Sequence, residues 1–317
     1  MKYIGYVFPG LLLVLLSCST AAADNRSDAE ALKDKGNELF SKGNLDGAID
    51  AFKKSIETDS TYAFAYNNLG IVLYEKGDYT GSVEQLRKAI ILDASYGKAY
   101  NNLGNAFMAI GDFNGARVSF EESIRIEPGI AQKYDNLGNA LYVVGEIDSA
   151  IVTYQKAIEL DSKLASAHNN LGVALQKKGN NDDAIKQFRE AVTLDSRYIS
   201  AHINLGIALF NDGKGDARRA LEPLKTALKY EPENVLAIYN MSLIYLKAGD
   251  PKEAVKPLRK AVKPETVDAD LLYLFGVALK ENKNDREAIK NFEQALAVDP
   301  GYKNAQTALE LLKADKK

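Results

Sequence analysis

Six asparagines stand out for what a carboxamide can do and for how they are spaced. Asn68, Asn102, Asn136, Asn170 and Asn204 follow one another in steps of 34 residues, and Asn240 comes 36 residues later. Each carboxamide carries two N–H donors and a carbonyl acceptor. That is the complement of a peptide unit, so a column of them suits the main chain of an extended peptide, held without reading its side chains. Other chemistry-bearing residues are scarce. The chain of 317 residues has one Cys, two His and no Trp, at a net charge of −3. A disulfide framework within the chain is excluded, and a four-ligand Cys/His zinc site with it. His168 and His202 are read as core substitutes for Tyr, because a helix-pair stacking distance separates them and ligands of a shared metal must lie within ~2 Å of it. No nucleophile elbow, phosphate loop or metal signature appears. No catalytic residue, cofactor or metal is therefore expected. Basic residues are spread along the chain, unlike the footprint of a nucleic-acid binder, and Arg125 and the lysines of residues 247–263 are read as solvated surface.

The elements that position the column repeat with it. Tyr66-Asn67-Asn68-Leu69-Gly70 returns as Tyr100-Asn101-Asn102-Leu103-Gly104, Tyr134-Asp135-Asn136-Leu137-Gly138, His168-Asn169-Asn170-Leu171-Gly172 and His202-Ile203-Asn204-Leu205-Gly206. A fixed period of this length marks a repeat array. With Ala29 as register one, Gly36, Gly70, Gly104, Gly138, Gly172, Gly206 and Gly276 share register eight, where the seventh repeat has Ser242. Twelve residues on come Ala48, Ala116, Ala150, Ala184, Ala220, Ala254 and Ala288, with two residues inserted before Ala220. Large apolar residues follow four further along, from Phe52 to Phe292, and small ones three after those, from Ser55 to Ala295. Both sets have the i, i+3, i+4, i+7 spacing of amphipathic helices. Gly43-Asn44, Gly77-Asp78, Gly111-Asp112, Gly179-Asn180 and Gly249-Asp250 lie between them. There Gly suits a helix C-cap and Asn or Asp the next N-cap. Each repeat therefore reads as helix–turn–helix.

This pattern resembles the tetratricopeptide repeat family in period and in its small–large–small positions. The resemblance implies an all-α, right-handed superhelical solenoid of about eight repeats, at residues 29–62, 63–96, 97–130, 131–164, 165–198, 199–234, 235–268 and 269–302, with a cap helix over 303–317. A Gly inside a helix costs roughly 1 kcal/mol against Ala. Its recurrence points to close approach of the paired helices. Pro223 and Pro257 fall at equivalent places inside second helices and are expected to bend them, and Pro264 to end the seventh repeat early, so that curvature changes around residues 210–265.

On a helical wheel, registers four, seven, eight and eleven face the core, while two, six, nine and thirteen lie opposite. The Asn column is register six. Phe64, Ile71, Asn105, Asn139, Val143, Val173 and Ile207 share its side and are expected to line a groove with it. In the family, first helices line the concave surface. The column resembles the Asn ladder in the repeat domain of O-linked N-acetylglucosamine transferases, which implies peptide binding by the six asparagines. The competing role for each amide is a bond to the neighbouring helix.

The leader carries one more reactive group. Residues 1–17 read as an export signal, with Lys2 ahead of an apolar run too short to span a bilayer comfortably. Leu15-Leu16-Ser17-Cys18 resembles the lipobox of bacterial lipoproteins, which implies lipidation of Cys18, a tether over 18–28 and a place in the outer membrane facing the periplasm. The alternative is a soluble periplasmic or secreted protein cut near Ala23. The function expected is a non-catalytic scaffold of the cell envelope that binds a peptide or protein partner, with no nucleic acid. Its alternative is a structural assembly lipoprotein acting through its convex surface or self-association.

Overall fold

A computed structural model describes residues 9–263 and 265–314, with side chains from residue 25 onward. The expectation for Pro264 falls outside the described residues, as does the side chain of Cys18. The protein is all α, with no strand among the described residues. It divides into two compact units, residues 1–160 and 161–317.

The first unit holds α1 (Pro9–Ser41), α2 (Leu45–Thr58), α3 (Ala63–Glu75), α4 (Tyr79–Leu92), α5 (Gly97–Ile110), α6 (Phe113–Ile126), α7 (Ala131–Val143) and α8 (Ile147–Leu160). These pair as four helical hairpins, each with a first helix A and a second helix B. The sequence ends each helix locally. Gly43, Gly77 and Gly111 adopt the left-handed conformation at φ 76°, 87° and 80°, which only Gly enters without cost. Next, the side chains of Asn44, Asp78 and Asp112 accept from the backbone N–H groups of Gly47, Gly81 and Gly115 at 2.9–3.0 Å, satisfying a donor that has no partner inside the helix.

The hairpin core explains the small residues. Ala48, Ala116 and Ala150 are fully buried, with Phe52, Phe120 and Tyr154 beside them. A Cβ placed on Gly104 would come within 2.4 Å of the Phe120 ring. The absent side chain is thus what lets a ring of helix B lie on the backbone of helix A. Ser55 and Ser123 donate to the carbonyls of Ala29 and Gly97 at 2.6 and 2.7 Å, locking α2 to α1 and α6 to the first residue of α5. α1 is helical through residues 18–28, the stretch read as a tether. Within it, Arg26 pairs with Asp59 at 2.5 Å and lies over the Tyr62 ring.

The second unit holds α9 (Ala165–Lys177), α10 (Asn181–Leu194), α11 (Ile199–Asn211), α12 (Leu221–Tyr230) after a 3-10 turn at Ala217–Ala220, α13 (Val235–Lys247), α14 (Pro251–Ala261), α15 (Ala269–Glu281), α16 (Asp285–Val298) and a last helix α17 (Lys303–Ala314). Ala305 and Leu312 of α17 are buried against the eighth hairpin. Pro223 lies inside the continuous helical run 217–230, whose first turn is 3-10 before α12 takes over at Leu221. Pro257 lies likewise inside α14. No described helix is long and apolar enough to cross a membrane.

Candidate functional site

Within each unit the A helices pair asparagines of the column with a second set one residue earlier, at register five. Asn102 Nδ2 donates to Asn67 Oδ1 of the preceding repeat at 3.0 Å, Asn136 donates to Asn101 at 3.0 Å, and Asn204 to Asn169 at 2.9 Å. The first repeat has Lys33 at register five, and Asn68 donates instead to Asn37 at 2.8 Å. In the sixth repeat register five is Ile203, which accepts nothing, and Asn240 turns back to its own helix, donating to the Leu236 carbonyl at 2.8 Å. Asn68, Asn102, Asn136 and Asn204 thus bond a neighbouring repeat. Sequence reasoning named the donors and missed their acceptors, although the doubled Asn of the recurring motif is the signal that marks them.

What remains for a ligand differs from rung to rung. Asn67 Nδ2 donates to Asn68 Oδ1 at 3.0 Å, and Asn169 Nδ2 to Asn170 Oδ1 at 3.2 Å, closing those pairs on themselves. In the fourth repeat Gln132 Nε2 reaches both Asp135 at 3.3 Å and Asn136 at 3.1 Å. In the third repeat, Asn101 Nδ2 and Asn102 Oδ1 have no hydrogen-bond partner among the described residues. Both are half-buried. They present a donor and an acceptor side by side, the pairing an extended peptide unit needs.

This open rung lines a concavity of about 420 Å³ on the A helices of repeats two to four. Ile71, Tyr96 and Ile130 supply apolar surface, and Asn67, Asn68 and Gln132 further carboxamides. Burial, reinforced by nearby Tyr62, Asp93 and Glu127, pushes the Tyr96 hydroxyl up to about 12, so it stays neutral at physiological pH. Lys98 and Lys133 complete the lining. Lys98 is exposed, whereas Lys133 is 4% exposed and replaces the buried Ala found at the same register in Ala65, Ala99 and Ala167. Its ammonium donates to the Ser123 carbonyl at 3.1 Å and pairs with Glu127. The lysine stem fills the Ala site, and its ammonium stays buried beside the groove on these two acceptors.

The other expected groove residues divide. Phe64 and Val143 are exposed at 49% and 47%, and the Phe64 ring packs 4.9 Å from Tyr96. Asn105 is half-buried. Asn139 Oδ1 accepts from the Tyr154 hydroxyl at 2.8 Å, which commits its acceptor to the core. Val173 and Ile207 pack on the apolar core of the second unit. His168 is buried, its Nδ1 2.8 Å from Gln187 Oε1 and its Nε2 3.2 Å from the Ser162 carbonyl. His202 Nε2 lies 3.0 Å from the Ser196 carbonyl. Both rings therefore sit in the core.

Known proteins match this architecture. A family model described as a TPR repeat matches residues 36–77, 72–111, 138–179 and 177–213, and models described as a tetratricopeptide repeat match 97–130, 213–276 and 269–302. No curated protein matches the chain. Among solved structures, MamA is 30% identical over 51% of this chain and 94% of its own, with a TM-score of 0.48. YrrB, described as a TPR protein with an unusual peptide-binding site, is 26% identical over 60% of this chain and 97% of its own, at 0.48. Pseudomonas aeruginosa pilF is 21% identical over 68% of this chain and 96% of its own, at 0.57, a likeness of fold.

Proposed function

Because the chain belongs to the tetratricopeptide repeat family, a family of protein–protein interaction scaffolds, we propose that it holds an extended peptide segment of a partner along the A helices of repeats two to four. The observation that carries this reading is the open rung at Asn101 and Asn102 inside the concavity. A ligand carbonyl accepts from Asn101 and the next ligand N–H donates to Asn102. A side chain alongside rests on Ile71, Tyr96 and Ile130. Each hydrogen bond contributes roughly 1 kcal/mol net and one buried apolar side chain about 1.5–3 kcal/mol, against an association cost of at least ~4 kcal/mol. The rung therefore fixes register, and affinity comes from a segment long enough to reach further side-chain contacts.

The test is Asn101→Asp. Aspartate keeps the oxygen that accepts from Asn136 and removes the free donor; the fourth repeat already carries Asp135 at this register. Co-purification with this variant should lose the partner while the melting curve stays as in the wild type. Recovery of the same partner at the same yield would sink the groove reading.

We also propose that the scaffold is exported and anchored in the outer membrane by lipid on Cys18, supported by the Leu15-Leu16-Ser17-Cys18 motif. One acyl chain gives marginal binding and stable anchoring needs more, as bacterial lipoproteins carry. Cys18→Ser should move the protein from the membrane to the soluble fraction. An unchanged membrane fraction would rule the anchor out.

A further inference from the structure

The sixth and seventh repeats depart from the others on their B helices, away from the Asn column. Six B helices of the array have 14 residues, α12 has 10 and continues directly from the four-residue 3-10 turn, and α14 has 11. A concavity of about 340 Å³ lies between α12, α13 and α14, joined to a second of about 270 Å³ through their shared Pro232, Ile238 and Lys260. The first is near the lower end of ordinary ligand-site volumes, ~300–1,000 Å³. Its floor is apolar: Leu228, Ile238, Met241 and Tyr245, with Pro232 and Pro257 as walls. Ile238 and Met241 belong to the core, and Met adapts its shape to what it meets. Pro257 has no N–H to return to the Glu253 carbonyl, and both residues line the cavity.

The rim is cationic. Lys225, Lys256, Lys260 and Lys263 surround the floor. Lys225 and Lys256 pair with Glu222 and Glu253 one turn away at 2.9 and 2.6 Å, and Lys263 with Glu233 at 3.6 Å. These pairs are exposed and therefore weak, so a ligand carboxylate exchanges for them at little cost. Lys260 has no anionic partner among the described residues. Residues 217–263 carry ten Lys and Arg against five Asp and Glu, while the rest of the chain carries 30 against 38. The positive charge is thus concentrated where the apolar floor opens.

We infer that this cavity is a second docking site, which takes an acidic peptide segment of a partner by seating one large apolar side chain on the Ile238–Met241–Tyr245 floor, with flanking carboxylates on the four lysines. It lies within the second unit and is independent of the open rung in the first.

The chain has no Trp, so the emission of a Trp-bearing probe reports on the probe alone. The full chain is titrated into the capped hexapeptide DEWLDE. The expected result is a saturable blue shift as the indole leaves water, weakened by salt, with at least tenfold weaker binding to the double variant Lys256→Glu, Lys260→Glu and unchanged binding to Asn101→Asp. Both lysines are exposed; should the reversal disturb the melting curve, Lys256→Gln with Lys260→Gln gives the same comparison without added charge. Absence of saturation, equal binding of the probe KKWLKK, or equal binding by the lysine variants would overturn the inference. So would loss of binding in Asn101→Asp alone. Phosphatidylglycerol vesicles that sediment the wild type and not the lysine variants, with the peptide silent, would assign the surface to lipid and overturn it too.

Discussion

Replacing Asn102 by Ala separates two views of the column with a single sign. Asn is a poorer helix former than Ala by about 0.5 kcal/mol. A purely solvent-facing Asn should therefore gain stability on replacement. Asn102 is not free in that sense, because its amide donates to Asn67 Oδ1, and Asn67 is 3% exposed. Removing the donor leaves that buried carbonyl unpaired, at a cost of about 1–3 kcal/mol. The net expectation is a loss of about 1–2 kcal/mol. Asn240 is the internal control: same register, but its amide bonds only its own helix at Leu236, so Asn240→Ala should be neutral or stabilising by a few tenths of a kcal/mol. The assay is denaturant unfolding followed by circular dichroism. Amide hydrogen exchange in α3 and α5 would localise the loss, since an interface of a repeat array can open by itself. If Asn102→Ala matches Asn240→Ala in sign and size, the inter-repeat bonds contribute nothing in water and the reasoning fails.

Other outcomes follow from the same geometry. Gly104→Ala puts a methyl against the buried Phe120 ring and should cost about 1–3 kcal/mol; adding Phe120→Leu should recover part of it, because the seventh repeat pairs Ser242 with Leu258 at the matching positions, and unfolding midpoints of the two variants would show this. Lys133→Met should leave stability within about 1 kcal/mol or raise it, since an apolar side chain of similar length replaces a buried ion pair; Glu127→Ala, which strands the buried ammonium, should destabilise by about 2 kcal/mol, discounted for the partial exposure of Glu127. The Arg259 hydrogen bond holds the Glu287 carboxyl below the usual carboxylate range, against the opposing effect of burial. Its contribution is therefore full above the ordinary carboxylate pKa and is lost as pH falls through the lowered value. Glu287→Gln should flatten the acid limb of a stability–pH profile, and an unchanged limb would show that this pair is not a source of acid sensitivity.

Much of the fold was legible because the same constraint is written many times. The Gly at register eight, the Ala twelve residues on and the cap pairs such as Gly77-Asp78 each encode a local geometry, and local geometry is what one sequence states best. The 3-10 turn at Ala217–Ala220, which opens the second helix of the sixth repeat ahead of Pro223, is a local change that helical periodicity does not state. The site was half legible. Helical periodicity placed register six on the outer face, yet whether an outward amide meets water or the next repeat depends on the stacking of helices. That stacking turned register five into the acceptor column and, through Ile203, ended it. The cavity near Pro257 was invisible because it lies between three helices, and how they pack is not a local property of the sequence.

The coupling between registers five and six has a bearing on ancestry. Each bond from register six to register five joins one repeat only to the one before it, and at Asn67, Asn101 and Asn169 both partners are Asn. A repeat carrying the Asn doublet therefore brings its own donor for the copy that precedes it and its own acceptor for the copy that follows. Gain or loss of a whole unit among such copies leaves every new junction chemically equivalent to the old. The chain is free to lengthen or shorten there by unequal exchange without first evolving a new interface. Ile203 closes that freedom, and the repeats beyond it, which lack the doublet, are tied to one position in the order.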